Sequence, residues 1–510
     1  MEPREYQKTI LETAKENNTL IVLPTGMGKT LIAFLLTKHY LENYPKGKVL
    51  ILAPTRPLVE QHFKYFEANL PELYAEMQMF TGKVESEDRK KLWGIANIIF
   101  STPQCVANDL RKGKIDLSEV SLLVEDEAHR CLKNYDYNYI ARKYLETPHT
   151  TPKPRIIGMT ASPGSDNETI RSICENLNIE KIEARHRQSE DVKRYVEKLS
   201  YETIRVDLPK EVEEISKSIK KIYLSKIEEL KNRKLLFGPG NKKTILELQS
   251  RLGARIRAGD KHFNNLRGIS VCAQAIKIGH ALELVETQGI QQTHKYFRTI
   301  IDDANKGKSK AAKQIANNPD FMSAFTGLTK NLGGIVHPKL ERLKEVVEKE
   351  IKENPKARFI IFGQFRDTVV LINKAINQIP GINSKVFVGQ MKKEDTGLSQ
   401  KEQQFVLNQF RFKEINVLTS TSIGEEGLDL PEVSTVIFYE PIPSAIRSIQ
   451  RRGRTARLKP GKLVVFLTRK TKDEVNYWVA ARKEKKMYKI LGEIKQKLDS
   501  KNKEGQQKLF

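Results

Sequence analysis

Cysteine is scarce: Cys105, Cys131, Cys174 and Cys272 are the only four in 510 residues, and no two form a C-x-x-C pair. Such spacing argues against a zinc site, an iron–sulfur cluster or a disulfide framework, and points to buried apolar fillers in a reducing cytoplasm. No apolar span and no basic amphipathic anchor stands out, so a membrane is not the expected partner. The opening residues Met1 to Gln7 lack the apolar core of a signal peptide, and a cytoplasmic chain is expected. Acidic residues are also in deficit. Lys and Arg number 88 against 63 Asp and Glu, a formal net charge of +25, which calls for a polyanion such as nucleic acid. At this length one core is insufficient, and two to four domains are expected.

What the sequence does hold is organised around Pro24-Thr25-Gly26-Met27-Gly28-Lys29-Thr30. The apolar run 20–23 reads as a buried parallel strand, the Gly-rich piece as a loop, and the stretch from Lys29 as a helix. A helix N-terminus after small residues points backbone N–H groups at a β-phosphate, where the helix dipole also favours negative charge. Lys29 would reach the β/γ oxygens and the Thr30 hydroxyl would hold Mg²⁺. Leu23 stands where the general phosphate-loop pattern has its first glycine.

Residues 1–199 alternate short apolar runs with helical stretches, the pattern of a parallel α/β sheet, with strands expected at 20–23, 49–53, 98–101, 121–124 and 156–160. Ligands bind beyond the carboxyl ends of such strands, so the small or polar clusters that follow them should share one edge. Residues 200–335 change character. After a strand-like piece at 202–208 come helix-length polar stretches at 212–236, 244–259, 269–288 and 292–305, and residues 210–332 carry 23 Lys/Arg against 12 Asp/Glu. This reads as a basic helical insertion. The α/β alternation returns over 336–485 as a second parallel domain, followed by a basic tail, 486–510, expected to start helical and then fray.

Asp126-Glu127-Ala128-His129 follows an apolar strand, which places two carboxylates opposite the phosphate loop. Asp126 would hold Mg²⁺, and Glu127 would orient and deprotonate the attacking water. In the second domain Gln450-Arg451-Arg452-Gly453-Arg454-Thr455-Ala456-Arg457 is dense in arginine. Arg454 and Arg457 are three apart, one helical turn, so both could reach a γ-phosphate as arginine fingers.

The ordered set of Arg4-x-Tyr6-Gln7, PTGMGKT, APTRPLVEQ, STPQ, DEAH, TAS, Ile360-Ile361-Phe362, TSIGEEGLD (421–429) and QRRGRTAR resembles the superfamily 2 helicases over nearly the whole chain. With the basic helical block, it is most similar to the helicase portion of the archaeal Hef and Fanconi-anaemia M-type fork translocases. The resemblance implies two RecA-like motor domains with a helical insertion between them, ATP and Mg²⁺ as ligands, and forked or branched DNA as partner in a nucleoid-associated setting. It implies further that Arg4 and Gln7 read adenine, that Asp429 meets the ribose, and that Gln450 meets the γ-phosphate or its water. Thr160 and Ser162 would couple the nucleotide to the domain interface. Pro54, Thr55, Arg56, Thr102, Thr421 and Ser422 would track a strand through its phosphates. Within the insertion, Arg251, Arg255 and Arg257 with Lys261 are the candidate contacts to a second DNA arm.

Two alternatives share these motifs: a double-stranded-RNA-stimulated ATPase of RIG-I or Dicer type, and an ATP-gated nucleic-acid clamp with little turnover. The clamp is suggested by Glu125, a carboxylate before DEAH where the family has an apolar residue; it needs a cationic neighbour, a raised pKa or an exposed strand end. The nuclease motif of the family is absent, so a motor-only or truncated chain is expected. The closing Gln506-Gln507-Lys508-Leu509-Phe510 resembles the start of a sliding-clamp-binding peptide.

Overall fold

Short β-branched runs separated by amphipathic helices bury best as parallel strands between helical layers, and the chain does this twice. The computed structural model describes residues 2–71, 74–151, 153–390, 397–421, 430–456 and 459–507. Strands β1 (Thr19–Val22), β2 (Lys48–Leu52), β3 (Met77–Phe80), β4 (Ile98–Ser101), β5 (Val120–Asp126), β6 (Arg155–Thr160) and β7 (Lys181–Ala184) make a parallel sheet in the order β3-β4-β2-β5-β6-β1-β7. Strands β8 (Leu199–Val206), β9 (Phe359–Phe362), β10 (Ser384–Phe387), β11 (Val417–Ser420), β12 (Thr435–Phe438) and β13 (Gly461–Thr468) make a second, ordered β10-β11-β9-β12-β13-β8. All four cysteines are free and buried.

The domain boundaries differ from expectation at both ends of the second domain. Strand β8 belongs to the second sheet, in parallel register with β13 from Leu199 opposite Gly461 to Val206 opposite Thr468, and not to the insertion that was expected to begin at 200. It is an edge strand with one solvated face, so its alternating residues carry no local sign of which sheet they join. The helical module therefore interrupts the second domain. Its helices are Lys210–Asn232, Lys242–Arg257, Phe263–Thr287, Ile290–Asn305, Lys310–Ala316 and Pro319–Lys330. The Phe263–Thr287 helix is apolar and long enough to cross a membrane by composition, but it serves as the shared core of the module, packed on the helices at 210–232 and 242–257.

The inner end of that helix is fixed to the second sheet. Gln288 donates to the buried carboxylate of Glu440 and accepts from the Thr368 hydroxyl. Burial pushes the Glu440 carboxyl up, against the opposing charge of Lys339. Beside it Lys339 and Asp473, 0% and 1% exposed, form a 2.8 Å ion pair. That pair lies within the second domain; the module itself is held to it by Gln288, through Glu440 and Thr368, and by Glu283, which pairs with Lys472 at 3.5 Å, so module and second sheet pack as one body.

The expected fraying tail is instead the second half of a helix, Lys472–Gln507, that leaves the second domain and docks on the first. Met487, Ile490, Leu491 and Ile494, at helical spacing, join the core of the first domain with Ile173, Leu177 and Ile182. Lys181 pairs with Asp499 at 2.7 Å. The lysines around this apolar stripe mask it in a composition count. Leu491→Ala removes a side chain 1% exposed, and such deletions cost about 2–5 kcal/mol. The melting temperature of the first domain should drop by several degrees; unchanged melting would show that the helix does not dock there.

Candidate nucleotide site and nucleic-acid faces

Strands β5, β6 and β1 are neighbours, so the segments following them, DEAH, TAS and the phosphate loop, meet at one sheet edge. Gly26 (φ +85°) and Gly28 (φ +83°) adopt the left-handed backbone that wraps the loop, and a side chain at Gly28 would strike Gln7 Nε2. The helix Lys29–Asn43 starts directly after it. Lys29 Nζ donates to Leu23 O at 2.8 Å, across the mouth of the loop. The outer wall is braced by the N-terminal helix Glu5–Glu16: Tyr6 Oη and Gln7 Nε2 donate to Met27 O at 2.9 and 3.2 Å, and Gln7 Oε1 accepts from Arg4 N. The Arg4 guanidinium donates to Tyr195 O and lies over that ring. Arg4 and Gln7 thus stand beside the loop, but an adenine contact would require the Gln7 amide to exchange protein partners.

Asp126 ends β5 and accepts from or shares a proton with His62 Nε2 at 2.9 Å. Burial opposes its ionisation, yet the hydrogen bond and charge of His62, with the charge of Lys29, hold the carboxyl below the usual carboxylate range. Tyr137 Oη donates to the Asp126 carbonyl at 2.7 Å, fixing the strand end. Neither His62 nor Tyr137 was singled out from sequence. A signal for His62 existed, since it shares the buried face of the helix Arg56–Glu67 with Val59 and Phe66. Glu127 sits at φ +52°, which turns its side chain away from the strand, and its backbone N–H donates to Asp126 Oδ1. His129 Nδ1 lies 3.1 Å from Thr160 Oγ1 and 3.2 Å from Glu127 Oε2. Thr160 in turn exchanges hydrogen bonds with the Ser162 backbone, and Ser162 Oγ donates to Met487 Sδ at 2.9 Å. A continuous line of contacts therefore runs from the DEAH carboxylate to the docked C-terminal helix.

Of the accommodations expected for Glu125, the structure shows a raised pKa. On β5 it points to the opposite face of the sheet from Asp126, 0% exposed beside Cys131, and desolvation pushes its carboxyl well above the usual range. It lies on the face of the strand away from the phosphate loop.

The second domain presses directly on the loop. A side chain at Gly453 would collide with Thr25, so only glycine permits this approach. The preceding helix, Ala445–Arg452, ends before Arg454; the expected spacing of Arg454 and Arg457 rests on Arg457, which lies outside the described residues. The arginines of this stretch divide their work. Arg451 is fully buried, its guanidinium 4.7 Å from the Phe362 ring and 5.6 Å from that of Phe438, and Arg452 pairs with Glu484 of the C-terminal helix at 2.5 Å. Arg454, 6% exposed, follows the glycine on Thr25. Gln450 is 2% exposed, and its Oε1 and Nε2 have no hydrogen-bond partner among the described residues. Ser422, Asp429, Arg457 and Lys508 to Phe510 lie outside the described residues.

An orphaned buried amide, a glycine cradle at a helix N-terminus, an ammonium and an ionised carboxylate at one cleft fit a nucleoside triphosphate. Thr30 and Asp126 would hold Mg²⁺, which when bound neutralises phosphate charge. Next to the loop is a cavity of about 420 Å³ lined by Pro24, Arg187, Arg452, Gly453, Glu484 and Tyr488.

The strand-tracking candidates sit at the sheet edges. Thr55 and Arg56 begin the helix Arg56–Glu67, after Pro54, and Thr102 begins Pro103–Arg111. Thr421 follows β11. Arg56, Pro57 and Lys83 of the first domain share a cavity of about 210 Å³ with Lys401, Gln404 and Leu407 of the second. Arg251, Arg255 and Arg257 are exposed at the end of the helical module farthest from this cleft's second-domain anchor, not in the cleft itself.

Comparison with known proteins matches residues 4–170 to the DEAD/DEAH box helicase family and 338–459 to the helicase conserved C-terminal domain. Residues 208–331 match the helical bundle of a provisionally named ATP-dependent RNA helicase family. The crystal structure of the Pyrococcus furiosus Hef helicase domain superposes with a TM-score of 0.70 at 42% identity, covering 93% of this chain and 98% of that one. A Methanocaldococcus jannaschii protein, provisionally named an ATP-dependent RNA helicase, is 39% identical over 96% of this chain and 61% of its own length. The Fanconi anemia group M protein homolog of Mus musculus is 34% identical over 97% of this chain and 26% of its own. The ATP-dependent DNA helicase fml1 of Schizosaccharomyces pombe is 31% identical over 91% and 57%. The chain thus spans 61% or less of these curated relatives.

Proposed function

The chain belongs to the superfamily 2 helicases of the Hef and Fanconi-anaemia M type, and from that we propose that it is an ATP-driven translocase acting on forked and crossed DNA in repair. The observation that carries the reading is the division of the molecule into two bodies around one nucleotide site, with the basic module locked to one of them. Lys29, Glu127 and the loop belong to the first body. Gln450 and Arg454, with the module fixed through the Gln288–Glu440 hydrogen bond and the Glu283–Lys472 pair, belong to the second. ATP bridging the cleft holds the bodies together, and hydrolysis releases that bridge, so a change at the γ-phosphate moves two strand-tracking faces relative to each other. The module moves with the second face. Contacts from its far end to a second DNA arm are then carried through each step.

These contacts go to phosphates and do not depend on base sequence. Replacing the whole module by a linker would be a poor test, because it strips Glu440 of Gln288. The better variant is Arg255→Glu with Arg257→Glu and Lys261→Glu. Fork affinity should decrease more than linear-duplex affinity, and the salt dependence of fork binding should lose a slope of about 0.9 per phosphate contact removed. Equal preference and an unchanged slope would show that the module does not hold a second arm.

The RNA-stimulated alternative keeps one specific support, the RNA helicase wording attached to the helical-bundle match and to the M. jannaschii relative. It is separated by comparing DNA and RNA as activators.

A further inference from the structure

The outer end of the helical module carries large apolar side chains for which the fold provides no packing. Phe237 is 77% exposed, Phe263 71% and Leu266 45%. They belong to one surface. The Asn264 side chain accepts from the Arg233 guanidinium and donates to Arg233 O, and a side chain at Gly268 would strike Leu235, so the segment 233–237 lies against the start of the Phe263–Thr287 helix. Arg251 donates to Leu235 O, bringing the end of the Lys242–Arg257 helix to the same place. Lys261 precedes Phe263 by two residues, and Arg255 and Arg257 close the helix whose Arg251 reaches Leu235 O; all three are exposed and, among the described residues, without an acidic partner. The nearby Asp260 accepts from the His262 backbone.

Single exposed apolar residues are ordinary, but two exposed aromatic rings on segments that meet at one end of a module, beside three exposed cations, are a pattern with few complements. An apolar protein surface would cover the rings only by desolvating three uncompensated charges beside them. Nucleic acid offers both features at once, flat base faces for the rings and phosphates for the cations. An intact duplex does not expose base faces along its length. A branch point does, because there the stack ends and bases come free.

We propose that Phe237 and Phe263 stack on the bases exposed at a DNA branch point, acting as a wedge that keeps the arms apart while Arg255, Arg257 and Lys261 hold the flanking phosphates. This rests on the branched-DNA reading above and adds to it the contact that distinguishes a junction from any other two arms. The wedge is rigidly joined to the second motor body through the Phe263–Thr287 helix, whose other end is anchored at Gln288. Each closure of the cleft would drive it against the junction.

The test uses the full chain and a DNA fork bearing 5-iododeoxyuridine either at the branch point or well within one arm. Ultraviolet irradiation links that base to an aromatic ring stacked on it, and peptide mapping locates the link. The expected result is a cross-link to Phe237 or Phe263 from the branch position and none from the arm. The double variant Phe237→Ala/Phe263→Ala should lose the cross-link and bind the fork about tenfold more weakly or worse. Phe237→Trp/Phe263→Trp should keep both, and melting curves show whether each variant is folded. A branch cross-link that maps elsewhere, or that persists in the alanine variant, overturns the wedge. If the alanine variant keeps its fork preference while the charge-reversed tip loses it, branched-DNA binding stands and only the wedge falls. If wild-type protein shows no fork preference, the underlying reading falls with it.

Discussion

Lys29→Ala is expected to reduce ATP turnover by about a hundredfold to a thousandfold or more, while leaving most DNA affinity and the melting temperature in place. The ammonium is the cation nearest the mouth of the loop. In the structure it donates to Leu23 O, just beyond the end of β1, and its charge is felt at Asp126. When a triphosphate enters, phosphate oxygens are stronger acceptors than a neutral carbonyl, and the lysine can change partners without any movement of the backbone. Its value therefore lies in charge developing on the transferring phosphoryl group. The basic surfaces that would hold DNA, the tip of the module and the Arg56 cleft, are elsewhere. The measurement is kcat beside fork affinity and thermal melting; turnover comparable to wild type would remove Lys29 from the site.

Glu127→Gln should separate binding from chemistry. The carboxylate is placed by a left-handed backbone turn and by its neighbours His129 and Asp126, and an amide of the same shape preserves that placement. What the amide cannot do is accept a proton from the attacking water, a contribution of about a hundredfold to ten-thousandfold. ATP affinity should therefore persist while kcat collapses, and the two motor bodies should remain bridged on DNA. Nucleotide-binding titrations run beside single-turnover hydrolysis give the two quantities. Normal hydrolysis by the variant would show that another group takes the proton. Glu125 is poorly placed for it, since it is buried on the opposite face of the sheet, where desolvation pushes its carboxyl up.

The parts of this account that were legible in the sequence are the local ones. Gly26, Gly28 and Lys29 carry their chemistry within a few residues, and the carboxyl-edge rule brought DEAH, TAS and the loop together before any coordinates. Long-range assignments were not legible. Strand β8 reads as a strand, but its partner β13 begins more than two hundred residues later, and nothing local distinguishes a sheet edge from an insertion. The C-terminal helix carries its apolar stripe within a basic context, and docking on the first domain depends on a groove formed by Ile173, Leu177 and Ile182. Edge strands β3, Met-Gln-Met-Phe, and β7, Lys-Ile-Glu-Ala, fell below notice because half of each faces solvent or polar neighbours. The arginine-rich stretch shows the same limit from another side. The sequence assigned phosphate contact to Arg454 and Arg457 and gave Arg451 and Arg452 no role, whereas Arg451 packs on an aromatic core and Arg452 ties down Glu484, roles that only packing could show.

The central claim, an ATP-driven motor that works on branched DNA, is tested most directly by steady-state ATPase with matched activators: a DNA fork, the same sequence as linear DNA duplex, and the same fork made of RNA. The account predicts the largest kcat/KM for the DNA fork, a lower value for the linear duplex, and little stimulation by RNA. Stimulation by the RNA fork equal to or above that by the DNA fork, or turnover indifferent to all three, would contradict it.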